Sequence, residues 1–289
     1  MDNYSDCILK IKSFSESEKE IMGALILGSQ VRKDLPGDRW SDLDILLLVN
    51  DTSKYTDNND WVNKFGNMIC MSNEIINLSW INLIWHVKRI LYSDGRAIDF
   101  SIEPYDKIDD VLEMNKEIHS IGYQIIFDRT NGQFPSKLIN SLKDYVKIEK
   151  TGVSEKELNI LVNDILFQVI YAIKKIKQGE LWVATNVINC VLKDKLLQLI
   201  EIHNYIVEKK SNIIMYEGRF LERRTNAVIQ KKIENCFSHY NNKDAVRTLD
   251  HLIDFIEEIY NEIASVLKYD ANKNMFKQVR IIFNKIESD

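Results

Sequence analysis

The sequence predicts an α+β protein: an amino-terminal domain built on a mixed β-sheet flanked by helices, followed by a carboxy-terminal all-α helical bundle. Three observations lead there. The first half of the chain changes hydrophobic period repeatedly, whereas the second half reads almost throughout at helical period. Several short apolar runs in the first half end in glycine or open on aspartate, in the manner of buried strands. At 289 residues the chain is long for one compact domain, and with only 3 Pro and 10 Gly it has little room for low-complexity linkers. The change of period places a boundary between residues 130 and 153, and we take the domains as 1–135 and 136–289.

The elements follow in order. A first helix is expected to start near Ser13, Ser15 or Ser17. The run Met22-Gly-Ala-Leu-Ile-Leu-Gly28 is a short buried strand ended by glycine, and a polar loop with Pro36 and Gly37 follows. Leu43 to Val49 carries an aspartate near its start and then becomes fully apolar, the pattern of a central strand. Asp57-Asn-Asn-Asp60 supplies caps for a helix through Trp61 that Gly66 terminates. Strands at Asn82–Leu91 and Ala97–Ile102 are joined across Ser93-Asp94-Gly95, a good hairpin turn, and Tyr123–Phe127 completes the sheet.

Beyond residue 153, Ser154-Glu-Lys-Glu157 forms a capping box. Leu158, Leu161, Ile165, Val169, Ala172 and Ile176 then recur at three- and four-residue spacing up to Gly179. Further helices are expected over Val187–Val207, Asn226–Phe237, Asp244–Leu267 and Lys273–Ile286.

Composition narrows the function. A net charge of -5 lacks the basic field that non-specific nucleic-acid binding uses, so a small or cationic substrate fits better than a nucleic acid. Cys7, Cys70, Cys190 and Cys236 form no C-x-x-C pair, and the five histidines show no metal-ligating spacing, which argues against zinc and against a disulfide framework. The opening residues carry Asp2 and Asp6 with no apolar run of signal-peptide length, and no stretch is long and apolar enough to span a membrane. A cytoplasmic protein, monomer or dimer, is expected.

The chemistry-bearing unit is Gly28-Ser29, a loop of a dozen residues, then Asp42-Leu43-Asp44. Side chains two apart on a strand share a face, so Asp42 and Asp44 present two carboxylates side by side. Adjacent anions repel, and a divalent cation between them is the natural resolution; carboxylates suit Mg²⁺, which shares its oxygen ligands with substrate phosphates. Asp99 stands in the apolar strand from Ala97 to Ile102, where Val or Ile is the ordinary occupant. Gly28 lets the backbone approach a phosphate closely, and Ser29 offers an N–H and a hydroxyl to a triphosphate oxygen.

Gly-Ser, then Asp-x-Asp, then a later strand aspartate resembles the signature of polymerase-beta-type nucleotidyltransferases. The likeness extends to Asp38–Ile45 and Asn59–Asn67, which resemble the corresponding stretches of the aminoglycoside 6-adenylyltransferases, the streptomycin adenylyltransferases. In the second half Asn163-Asp164, Tyr171, Lys174 and Gly179-Glu180 fall where that family has an acidic residue, a tyrosine and a lysine on its first bundle helix. Two positions depart from the pattern: Gln30 stands for the usual arginine after Gly-Ser, and Leu43 for the usual tyrosine between the aspartates. The metal ligands survive both changes, while the acceptor's identity is opened. Lincosamide nucleotidyltransferases share the architecture.

The resemblance implies a nucleotidyltransferase domain at 1–135 and a substrate-binding bundle at 136–289. It implies ATP as donor, two Mg²⁺ held by Asp42, Asp44 and Asp99, and in-line transfer of AMP to a hydroxyl of an aminoglycoside such as streptomycin, with pyrophosphate leaving. Asp99 is the first choice of general base and Asp164 the second; Gly28, Ser29 and Lys174 are the nucleotide-binding residues. Bland readings stand beside these: Asp164 as a satisfied polar residue of a helix face, Lys174 as an ordinary exposed charge. Other acceptors, or a catalytically degenerate nucleotide-binding protein, are the alternatives.

Overall fold

The structure is a computed structural model that describes residues 4–32, 36–143, 145, 152–210, 218–270 and 273–288. The chain divides into two compact units, Met1–Lys147 and Ile148–Asp289. The first is a six-stranded mixed sheet of order β3-β4-β5-β2-β1-β6 with helices on both faces. Its strands are β1 (Ile21–Leu27), β2 (Leu43–Val49), β3 (Met68–Leu78), β4 (Leu83–Tyr92), β5 (Ala97–Pro104) and β6 (Gln124–Asp128). Among the described residues only the β2–β5 pairing is parallel.

Alternation along each central strand splits the apolar side chains between two cores. Ile45, Leu47 and Val49 of β2 and Phe100 and Ile102 of β5 pack with α1 (Ser5–Ser17) and an aromatic layer. That layer is the Asn59–Asn67 segment: after the short helix α2 (Ser53–Thr56), a 3-10 turn over Asp60–Lys64 sets Trp61 parallel to Phe14 at 5.8 Å and edge-on to Phe100 at 4.9 Å. Lys88 is 2% exposed beneath it and donates to Thr56 O at 2.8 Å. The opposite face buries Leu46 and Leu48 against α3 (Ile108–Met114) and α5 (Gln133–Leu142); α4 (Lys116–Ile121) lies between those helices in the chain.

One expectation is corrected in this unit and one element is added. The serines read as helix starts sit in the last turns of α1, where Ser15 and Ser17 donate to the carbonyls of Ile11 and Phe14. The edge strand β3 carries no clean alternation and was not foreseen. Phe134 and Leu138 of α5 are fully buried under the sheet and belong to the first unit. The hairpin turn lies as expected, with Gly95 at φ +86°.

The second unit is all-helical. Its helices are α6 (Glu155–Lys177), α7 (Leu181–Asn186), α8 (Leu192–Ile206), α9 (Leu221–Arg224), α10 (Ala227–Ile233), α11 (Asn242–Leu267) and α12 (Lys273–Ser288). Both halves of the Ser154/Glu157 capping box form. A π-helical segment, Val187–Val191, joins α7 to α8, so the helix expected from Val187 starts six residues earlier. The Gly218–Glu222 stretch is a turn into α9, with Phe220 in the left-handed region. Among the described residues no helix is long and apolar enough to cross a membrane.

Glu103, the penultimate residue of β5, is fully buried, and against that burial the His86 backbone favours its ionised form. Burial pushes its pKa from 4.5 up to about 9. The unfolded chain therefore releases this proton at lower pH than the folded one, and stability falls as pH rises from about 4.5 to about 9, by up to about 1.4 kcal/mol per pH unit. Glu103→Gln keeps the shape and removes the titration. Urea unfolding at pH 6 and pH 8.5 is expected to show the wild type losing stability relative to Glu103→Gln across that interval; parallel curves would contradict the assignment.

Candidate active site

The sheet places the acidic residues before any side-chain preference acts. In the parallel register Asp44 of β2 is the direct neighbour of Asp99 on β5, so both side chains leave the sheet on one face. Asp42, two residues before Asp44, precedes the strand on that same face. The three carboxylates offer oxygens that all lie within 4.8 Å of one another. They occupy the start of β2 and β5, on the face that α3 and α5 cover farther along the strands.

Across β2, Asp44 is paired with Leu27, the last residue of β1. The chain turns there through Gly28 at φ +67° into one 3-10 turn, Gly28–Gln30. A Cβ at Gly28 would fall 2.0 Å from Asp44 Oδ2, so the turn tolerates no side chain while the carboxylate stays in place. Ser29 is 8% exposed, and its hydroxyl has no hydrogen-bond partner among the described residues. The loop is tied back by Gly37 N–H donating to Ser29 O at 2.7 Å and by Gln30 Nε2 donating to Asp42 O at 3.2 Å. Gln30 thus serves as a brace for the backbone of Asp42.

Burial raises the Asp99 pKa above the usual carboxylate value, and the Asp42 charge raises it further; Arg89 opposes both. Arg89 lies beside Asp99 in the β4–β5 register and donates from Nε to Asp99 Oδ2 at 3.2 Å, while its Nη1 meets Glu74 Oε2 of β3 at 2.7 Å. Sequence reading named neither Arg89 nor Glu74. The signal is a strand-register relation, invisible until β3 and β4 are aligned. Asp164 and Lys174 belong to α6 in the second unit. The Asp164 carboxylate is ion-paired with Lys195, and Lys174 is exposed.

An all-oxygen set of three converging carboxylates, with a glycine turn and an orphaned hydroxyl beside it, is suited to holding divalent cations against phosphate. The sequence profile of the streptomycin adenylyltransferase family matches residues 1–286, which sets the class as nucleotidyltransferase. The chain belongs to the streptomycin adenylyltransferase family. It is 21% identical over 197 residues to the aminoglycoside 6-adenylyltransferase of Bacillus subtilis, covering 66% of this chain and 65%, less than two thirds, of that protein. It is 20% identical over 267 residues to the aminoglycoside 6-adenylyltransferase of Campylobacter jejuni, covering 90% and 87%. A crystal structure of an aminoglycoside 6-adenyltransferase from Bacillus subtilis aligns with a TM-score of 0.44 at 14% identity, over 100% of this chain and 99% of that one.

The Gly28–Asp44 contact gives a direct test. Gly28→Ala combines a left-handed backbone with the clash, and is expected to cost roughly 1–3 kcal/mol in urea unfolding. In an Asp44→Ala background the clash is gone, so the same substitution should cost measurably less. Equal costs in the two backgrounds would show that the carboxylate does not lie against Gly28.

Proposed function

We propose that this protein transfers the adenylyl group of ATP to a hydroxyl of an aminoglycoside such as streptomycin, with Mg²⁺ and with release of pyrophosphate. The observation that carries the reading is the convergence of Asp42, Asp44 and Asp99 within 4.8 Å beside the Gly28–Ser29 turn. The aminoglycoside comes from the names of the family's relatives, and the acidic balance of the chain is compatible with a cationic acceptor.

The residues fit two Mg²⁺. Asp42, Asp44 and Asp99 would hold them: the ligand atoms are oxygens, and a cation relieves the repulsion between close carboxylates. When bound, Mg²⁺ supplies polarisation of the α-phosphate and neutralises charge on the leaving pyrophosphate. The chain's own residues do the rest. Gly28 keeps the turn open to a phosphate, and the Ser29 hydroxyl, otherwise unpartnered among the described residues, donates to a phosphate oxygen. Asp99 takes the proton from the acceptor hydroxyl. Asp164, engaged by Lys195, is the weaker choice of base. Lys174 enters as a nucleotide-binding residue through the resemblance alone.

Pyrophosphate release from Mg-ATP, measured with and without streptomycin, tests the reading. Release that requires streptomycin, and that falls by at least about 10³-fold in Asp42→Ala/Asp44→Ala, is expected, because removal of the carboxylates abolishes the electrostatic stabilisation that carries phosphoryl transfer. Release equal in wild type and double variant would sink it.

A further inference from the structure

The β4–β5 register sets Arg89 directly beside Asp99, and the β2–β5 register sets Asp99 directly beside Asp44. Arg89 is paired with Ser72 on β3, so Glu74, two residues along that strand, shares the face and stands diagonal to Arg89, a span that long side chains bridge. The guanidinium uses both neighbours, with Nε on Asp99 Oδ2 at 3.2 Å and Nη1 on Glu74 Oε2 at 2.7 Å. Because the guanidinium is planar and its N–H directions are fixed, holding one edge on the outer strand aims the other edge at Asp99.

We propose that Arg89, tethered by Glu74, is a positioning residue for Asp99: it commits Oδ2 to a protein hydrogen bond and leaves Oδ1 as the oxygen that Asp99 brings to the site. The inference rests on the nucleotidyl-transfer reading above and deepens it. A carboxylate held only by its own backbone rotates about Cβ–Cγ, exchanging its oxygens and changing between one- and two-oxygen engagement. Hydrogen bonds to a ligating group from outside the coordination sphere suppress that motion. Stability is not the reason for the arrangement, since the Arg89 and Glu74 side chains are 53% and 41% exposed and pairs of that kind contribute little to folding.

Charge and geometry act in opposite directions here, which makes the proposal decidable. A guanidinium beside a cation site repels the cation, so its field alone predicts that removing Arg89 tightens metal binding. Lost positioning predicts that it weakens. The experiment is Mn²⁺ titration of the full chain without nucleotide, followed by electron paramagnetic resonance, on wild type, Arg89→Ala, Glu74→Gln and the double variant. Asp42→Asn is the control for the site, and unfolding midpoints show that each variant is folded.

Arg89→Ala is expected to weaken Mn²⁺ binding about tenfold, with Glu74→Gln weaker by a smaller factor. The double variant should be no weaker than Arg89→Ala, because Glu74 acts through Arg89. In turnover, kcat should fall by a comparable factor in Arg89→Ala while KM for ATP stays within about twofold, the mark of a group that does not bind the donor. Mn²⁺ affinity unchanged or tightened in Arg89→Ala overturns the proposal. So do additive losses in the double variant, or a loss confined to KM for ATP, which would assign Arg89 to the triphosphate. Failure of the underlying reading looks different: Mn²⁺ binding that Asp42→Asn does not impair removes the metal site and this inference with it. The expected Mn²⁺ pattern without turnover would leave the positioning standing and reject the reaction.

Discussion

Backbone pairing between β2 and β5 holds two like charges, Asp44 and Asp99, side by side with Asp42 next to them, and much of the first unit is arranged around that fact. Lateral neighbours in a sheet have Cβ atoms about 4.5–5.5 Å apart, so Asp44 and Asp99 cannot separate without breaking the ladder. Two unit charges at such a distance repel by roughly 1 kcal/mol in a water-like medium and several-fold more where burial lowers the dielectric. Asp99 is half-buried, and burial and the Asp42 charge raise its pKa while Arg89 lowers it. A close carboxylate cluster is retained at a cost to the folded state that a bound cation relieves.

The surroundings hold the carboxylates in place. β2 and β5 are central strands, gripped on one face by α1 and the Trp61 aromatic layer and on the other by α3 and α5. Gly28 removes the one side chain that would push Asp44 aside, and Gln30 and Gly37 tie down the loop that leads into Asp42. Arg89 supplies a positive charge at the edge of the cluster, itself shared with Glu74. Reactive groups on rigid strands, next to one glycine-rich turn, make a geometry that loops alone would not keep.

The strands of the central sheet were legible because burial on both faces writes a continuous apolar run: β2 begins and ends where the sequence places it, and β1 differs by one residue at each end. The shared face of Asp42 and Asp44 followed from the two-residue period, and Asp99 announced itself as a charge among apolar neighbours. Their roles as ligands remain the proposal. β3 was illegible because an edge strand with most of its side chains exposed, interrupted by Ser72-Asn73-Glu74, needs no hydrophobic alternation. Arg89 went unseen for a related reason, since its meaning depends on which residue lies across the ladder. Within the Asn59–Asn67 segment Trp61, Val62 and Phe65 are core packing, and Trp61 donates to Tyr55 O and Asn58 O. The serines of α1 misled because a hydroxyl caps the start of a helix or bonds back to a carbonyl at its end with equal ease.

Asp42, Asp44 and Asp99 converge closely enough to repel one another, and a divalent cation between them would relieve that repulsion. Thermal unfolding of wild type and Asp42→Asn, each in EDTA and in Mg²⁺, tests it most directly. Without metal, Asp42→Asn should unfold at the higher temperature, because one of the three repelling charges is gone; with Mg²⁺ the wild type should gain stability and the variant should gain little, closing or reversing the gap. The same order and the same gap in both conditions would contradict the account.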